Sequence, residues 1–203
     1  MEQKKRQQLK MYWKADNSLE ELMLPEGYSY AHYNGPQDIH VWNECISLDG
    51  GSVSSEKEVE YFISQIVDYK TIDTNKDLWF IDYEGQHVAT ASCFVIENTD
   101  IGDMHWVGIK KEFRGKGLSK YLCYIVQKTL LDKDVSYVSL TTDEFRPFAV
   151  KSYIKAGFLP VNYDDDMVER WGQMLEILKI DSIEMLNDDA TPFKTVYRTG
   201  LKK

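Results

Sequence analysis

A short run of basic residues and glycines, Arg114–Ser119, is the part of the sequence best suited to bind a ligand. Gly115 and Gly117 carry no Cβ, so their amide groups can approach a ligand closely. An apolar stripe at helical spacing follows, so the loop leads into a helix N-terminus, which favours an anion. The nearby cations are Lys110, Lys111, Arg114, Lys116 and Lys120. With Glu112 subtracted they give a local charge of +4 in a chain of net charge −9, which predicts a phosphate site.

Asp103 and His105 lie just before this loop and are the candidates for proton transfer. They are two residues apart on a predicted strand, so their side chains share a face. A neutral histidine accepts a proton near pH 7, and an aspartate needs burial to raise its pKa. A surface strand end would carry the same residues without a role, so either residue, or a water molecule, is left open as the base.

Two common phosphate loops do not fit the sequence. The dinucleotide fingerprint requires a third glycine where this chain has Lys120. The pattern of glycine, four residues and Gly-Lys-Ser/Thr is also absent from the segment. The sequence therefore argues against a dinucleotide-binding loop and against the phosphate loop of an NTPase.

Arg114-Gly115-Lys116-Gly117-Leu118-Ser119 resembles the Arg/Gln-x-x-Gly-x-Gly/Ala loop of the GNAT superfamily of acetyltransferases. Ser119 stands where the family usually has Gly or Ala. A second segment resembles the family's Ala-x-x-x-Tyr-x-x-x-Gly-Phe ending, with Ala149, Tyr153, Gly157 and Phe158 in those positions. Arg146 stands where many members have Asn. The match covers about 103–158.

The resemblance implies that acetyl-CoA is the co-substrate and that its pyrophosphate lies on the loop. The strand before the loop would bind the pantetheine arm through its main chain, with Gly108 permitting the close approach. The implied cofactor-binding residues are Val107, Ile109, Arg114, Gly115, Lys116, Gly117, Leu118 and Ser119. Tyr153 matches the tyrosine that many members use to protonate the leaving thiolate, and half-buried packing is the alternative for it.

The implied reaction is transfer of acetyl from acetyl-CoA to a primary amine by direct attack in a ternary complex. A catalytically silent acyl-CoA-binding or sensor module is the alternative, and another acyl group or another phosphate ligand is a third. The acceptor is a small-molecule or peptide amine. In the superfamily its identity lies in the helices before the sheet and in the C-terminal residues. Family sheets often extend across dimers, so a homodimer is also open.

The hydrophobic periodicity predicts the elements that must position these residues. The predicted strands are 28–32, 78–83, 87–96, 103–109, 135–141 and 158–163. The predicted helices are 36–48, one that begins at Ser54 or Ser55, one that begins after Gly117, 147–156, and one around 168–178. This order predicts an α/β fold: a mixed, mostly antiparallel central sheet with helices on both faces. The resemblance adds a splayed cofactor-binding strand.

The predicted division is an extension at 1–27, a core at 28–163, and a C-terminal helix and tail at 164–203 that complete the domain. Residues 1–24 are expected to form a charged, partly helical lead-in. On the second helix, the expected apolar face is Val59, Phe62, Ile63, Ile66 and Val67.

The composition indicates an ordinary globular protein, with 43% hydrophobic and 28% charged residues. The excess of 33 acidic over 24 basic residues argues against nucleic acid as a partner. No stretch approaches the roughly 20 apolar residues that span a bilayer, so no membrane partner is expected. The three cysteines are widely spaced and in no metal-like pattern. A reducing, cytoplasmic location and no metal are therefore expected.

Overall fold

The computed structural model describes residues 6–16, 18–47, 55–68 and 71–200. They contain nine strands and five α-helices. Every strand pair whose register is resolved is antiparallel except β7 with β8, which is parallel. The predicted α/β class with a mixed, mostly antiparallel sheet is confirmed. The chain forms two compact units, a central unit of Ser18–Val138 and a terminal unit of 1–17 with 139–203.

The central unit carries an antiparallel run of four strands in the order β2-β3-β4-β5. Its elements are β2 (Tyr28–His32), α1 (Gln37–Ile46), α2 (Ser55–Phe62), β3 (Leu78–Tyr83), β4 (Gln86–Val95), β5 (Ile101–Ile109) and α3 (Ser119–Leu131). These bounds agree with the predicted elements, and Leu48 and Ser54 lie outside the described residues. The core under α1 is built on Trp42, Phe62, Leu78 and Phe80, all of which are buried.

The second helix differs from the prediction. After Phe62 it continues as a π-helical turn, Ile63–Val67. Phe62 and Ile66 are buried as expected, but Val59, Ile63 and Val67 are between 39% and 52% exposed. A π turn holds more residues than an α turn, so the apolar stripe of an ideal α-helix does not continue on one face through Ile63 and Val67; the exposure of Val59, before this turn, has no explanation in the structure.

The terminal unit holds most of β6 (Tyr137–Thr142), followed by α4 (Pro147–Lys155), β7 (Leu159–Asn162) and α5 (Met167–Leu178). β1 (Leu9–Lys14) precedes them in the chain, and β8 (Ser182–Asn187) and β9 (Pro192–Tyr197) follow. The strand order is β6-β1-β7-β8-β9. No helix in the described part of the chain is long and apolar enough to span a bilayer.

The prediction of a partly helical lead-in is wrong, because residues 9–14 form a strand. β1 pairs with β7 and buries Leu9, Met11, Tyr12 and Trp13. The Lys10 ammonium binds the Asp188 carboxylate at 2.8 Å and lies over the Tyr163 ring. The charge of Lys10 is therefore satisfied by a residue 178 positions further along the chain. The two strands after α5 were also not predicted; residues 1–5, 17 and 201–203 lie outside the described ranges.

Candidate functional site

The loop between β5 and α3 has a backbone conformation that favours glycine. A short 3₁₀ turn, Lys111–Phe113, follows β5, and α3 begins at Ser119. Gly115 has φ of +77° and Gly117 has φ of +78°, a left-handed conformation that other residues adopt only with strain. A Cβ added at either glycine would meet no atom within 4 Å. The glycines are therefore required by the turn itself, and the space beside them is open.

The main chain of this loop presents donors. In the described part of the chain, no backbone hydrogen bond uses the N–H groups of Gly115, Lys116, Gly117 and Leu118. Leu118 is the N-cap of α3 and gives no side-chain cap, and the first turn holds no acidic residue. Unsatisfied N–H groups at the positive end of a helix dipole bind anions. The loop can therefore hold a phosphate group.

The cations near the loop fall into two groups. Lys116 lies with its ammonium 4.3 Å from the centre of the Phe113 ring, and Lys120 lies 4.7 Å from that of Tyr121. With Lys111, they make no ion pair within 4 Å among residues 6–16, 18–47, 55–68 and 71–200. These three ammonium groups are available to a polyanion.

Lys110 and Arg114 instead contact the end of α1. Lys110 binds the Glu44 carboxylate at 2.9 Å. Arg114 donates from Nε to the carbonyl of Ile109 at 2.9 Å and from Nη2 to the carbonyl of Ser47 at 2.6 Å. The contacts with Glu44 and Ser47 join residues far apart in the sequence, and no motif indicates them.

Gly108 has a different role from the predicted one. A Cβ at Gly108 would lie 2.5 Å from the carbonyl oxygen of Cys45 and 2.8 Å from the backbone nitrogen of Ile46. The missing side chain thus makes room for the main chain of α1, and not for a pantetheine arm. Val107 and Ile109, the predicted main-chain partners, are half-buried residues of β5 on either side of it.

Asp103 and His105 lie on one face of β5, as the strand spacing predicts. His105 Nδ1 is 4.0 Å from Asp103 Oδ1, and each side chain is 20% exposed. The register places Phe94 opposite Asp103, and the Phe94 ring meets the His105 ring edge-on at 5.6 Å. The pair therefore lies at an aromatic surface with limited access to water.

A β-bulge in β5 shapes that surface. Thr90 pairs with Gly108 and Ser92 pairs with His105, so Ala91 faces two residues of β5, one of which is Trp106. Trp106 has φ of +46°, an unusual conformation for a bulky residue. Its ring packs 5.6 Å from that of His105 and 5.8 Å from that of Trp42. The bulge thus brings two consecutive residues of β5 to one aromatic cluster.

Burial lowers the pKa of His105 to about 4, and a backbone hydrogen bond involving Gln65 opposes the shift only in part. The imidazole is therefore neutral at pH 7. It holds a proton weakly and is therefore a poor base in this environment.

This pKa predicts how His105 affects stability. The unfolded histidine, with a pKa of 6.5, binds a proton between pH 6.5 and 4 that the folded one does not, so stability falls as pH falls through this window. Between pH 7.5 and pH 5 the wild-type protein should lose about 2 kcal/mol more than His105→Gln. Urea unfolding at the two pH values measures this difference. Phe94→Leu, which alters the same contact without a titrating group, should follow the wild type; equal losses in wild type and His105→Gln would contradict the assignment.

Tyr153 belongs to the terminal unit, on α4, and is 8% exposed. Its ring meets that of Phe158 edge-on at 6.2 Å. Pro147 starts the helix, and Gly157, with φ of +87°, follows its end, as predicted. Arg146, which replaces the expected Asn, lies 3.8 Å from the Asp143 carboxylate.

Comparison with known proteins shows the family of the chain. The sequence model described as Acetyltransferase (GNAT) family matches residues 39–158, more than half of the chain. No curated protein matches.

Solved structures show the same fold. A GCN5-related N-acetyltransferase from Sphaerobacter thermophilus has a TM-score of 0.58 at 18% identity, over 76% of this chain and 49% of that one. An acetyltransferase from the GNAT family of Colwellia psychrerythraea has 0.56 at 15% identity, over 75% and 53%. A putative GNAT-family acetyltransferase from Novosphingobium aromaticivorans has 0.52 at 14% identity, over 77% and 61%. This chain thus spans about half the length of the first of these structures.

Proposed function

The chain belongs to the acetyltransferase (GNAT) family, and from this premise we propose that it transfers an acetyl group from acetyl-CoA to a primary amine by direct attack in a ternary complex. The observation that carries the proposal is the loop of Arg114–Ser119, with four free amide groups, two left-handed glycines and open space beside them. A diphosphate fits this set of donors because it needs several N–H groups and a positive field on one side.

The main chain of the loop would bind the diphosphate, and Lys111, Lys116 and Lys120 would add attraction at longer range. Acetyl-CoA, when bound, supplies the acetyl group as a thioester. Val107 and Ile109 would hold the pantetheine arm through main-chain groups, in keeping with the resemblance. Val107 lies in the bulge of β5 and Ile109 follows it, which supports this, because a bulge interrupts the regular pairing of a strand.

Asp103 is proposed as the proton acceptor for the amine, directly or through water, and His105 as its neutral neighbour. The acceptor nitrogen bonds to the thioester carbon, the C–S bond breaks, and Tyr153 gives a proton to the sulfur. Removal of one proton and delivery of another leave the amide and a free thiol. The acceptor is proposed to be a small-molecule or peptide amine.

Free-thiol release from acetyl-CoA in the presence of a panel of amines tests the reaction. We expect release that depends on the amine and an acetylated product of the matching mass. Tight acetyl-CoA binding with no amine-dependent release across polyamines, amino acids, aminoglycosides and peptides would instead support the silent acyl-CoA-binding module.

Gly117→Ala tests the loop. An alanine held at φ of +78° is strained by about 1–2 kcal/mol, and relief of the strain would turn the adjacent amides away from the ligand. We expect at least about tenfold weaker acetyl-CoA binding by calorimetry.

Gly85→Ala is the matched control. Gly85 has φ of +79°, and its added Cβ also meets no atom within 4 Å, but it lies in the turn between β3 and β4. The two variants should lose similar stability, and only Gly117→Ala should lose affinity. Equal affinities in both variants would remove the loop assignment.

A further inference from the structure

The C-terminus of α1 lacks the cations that usually stabilise a helix end. α1 ends with Ser47 as its C-cap, and its last turn contains no basic residue. It does contain Glu44, whose negative charge lies near the negative end of the helix dipole. The last carbonyl groups of a helix have no partners within the helix itself. This end of α1 therefore needs donors and positive charge from another part of the chain.

The segment around the phosphate loop supplies both. Arg114 donates to the Ser47 carbonyl at 2.6 Å while its Nε holds the Ile109 carbonyl at 2.9 Å, so one guanidinium joins the helix end to the end of β5. Lys110 neutralises Glu44 at 2.9 Å. Gly108 lets the backbone of α1 come close enough for these contacts.

We infer that Arg114 is a positioning residue, which caps α1 and fixes it to the phosphate loop, and that it does not bind the pyrophosphate with its own side chain. Two of its donors already point to carbonyl groups of the protein. The inference rests on the proposed function only in naming the loop's ligand.

The arrangement has a consequence for binding. The loop and α1 form one polar unit, so an anion that orders the loop also stabilises the end of α1. By linkage, a loose α1 weakens anion binding to the same extent. Loss of the cap should therefore weaken acetyl-CoA binding through lost preorganisation.

The test compares Arg114→Ala, Arg114→Lys and Lys116→Ala first without any ligand. Lysine keeps the charge but cannot hold two carbonyl groups with a rigid fork. Both Arg114 variants should lower the Tm of the ligand-free protein by about 4 °C. Both should also speed hydrogen exchange of the Ser47 amide, which bonds to Asn43 at the end of α1. Lys116→Ala should leave the Tm and this exchange rate unchanged.

Calorimetry with acetyl-CoA over a range of salt concentrations then separates the two roles. A positioning residue predicts that Arg114→Lys binds about as weakly as Arg114→Ala. The inference would be overturned if both Arg114 variants kept the wild-type Tm and exchange rate, Arg114→Ala bound acetyl-CoA more weakly, and Arg114→Lys restored the affinity. That result would show a direct phosphate contact. If wild type fails to bind acetyl-CoA, the proposed function fails, while the ligand-free measurements still decide the role of Arg114.

Discussion

Tyr153→Phe should lower kcat by at least about 100-fold and leave the Kd for acetyl-CoA within about twofold, because the substitution removes a proton donor and keeps the ring. A thiolate that is not protonated is a poorer leaving group than a thiol, so the barrier to breaking the C–S bond rises. Tyr153 is buried on α4 against Phe158, and phenylalanine preserves that packing. Steady-state thiol release gives kcat, and calorimetry gives the Kd.

Tyr12→Phe is the matched control for this prediction. Tyr12 is a buried tyrosine of the same unit, and its hydroxyl bonds to Asp188 on the loop after β8. Its loss should cost about 1 kcal/mol of stability and no activity. A Tyr153→Phe enzyme with wild-type kcat would assign Tyr153 to packing alone.

Gly108→Ala should destabilise the protein by about 3 kcal/mol and lower its Tm by about 9 °C. The new Cβ would lie 2.5 Å from the Cys45 carbonyl, and backbone atoms of a helix cannot move aside singly. Either α1 shifts as a whole or β5 bends, and both would disturb the contacts that Arg114 and Lys110 make. Thermal unfolding without ligand measures the effect.

Gly102→Ala separates this clash from the general effect of a glycine substitution. Gly102 lies on the same strand, and its added Cβ would lie 2.8 Å from a terminal carbon of Leu130, a flexible side chain that can rotate. We expect a loss below about 1 kcal/mol. A small loss in Gly108→Ala as well would mean that α1 does not need the close approach.

The sequence was sufficient to predict the loop and the elements around it, because the signals for them are local. Glycines before an apolar stripe predict a loop that leads into a helix, and α3 begins at Ser119, directly after the loop. The alternation of Asp103 with His105 likewise predicts a shared face from two residues alone.

Other features depend on residues far apart in the chain. β1 carries two lysines, and the charge of Lys10 is satisfied by Asp188 and the Tyr163 ring, far along the chain. Its composition therefore does not show that it lies between β6 and β7 in its unit. The α1 cap needs Arg114 and Ser47, which are 67 residues apart. Gly108 was predicted to serve a ligand because its contact with Cys45 is invisible in the sequence.

The central claim is that main-chain donors of the loop hold the diphosphate of acetyl-CoA. Calorimetric titration of the wild-type protein with acetyl-CoA and with S-acetylpantetheine, which has the same thioester and no phosphate, tests it most directly. We predict at least about 100-fold tighter binding of acetyl-CoA, since several charge-assisted hydrogen bonds are lost without the diphosphate. Equal affinities for the two thioesters, or no binding of acetyl-CoA, would contradict the claim.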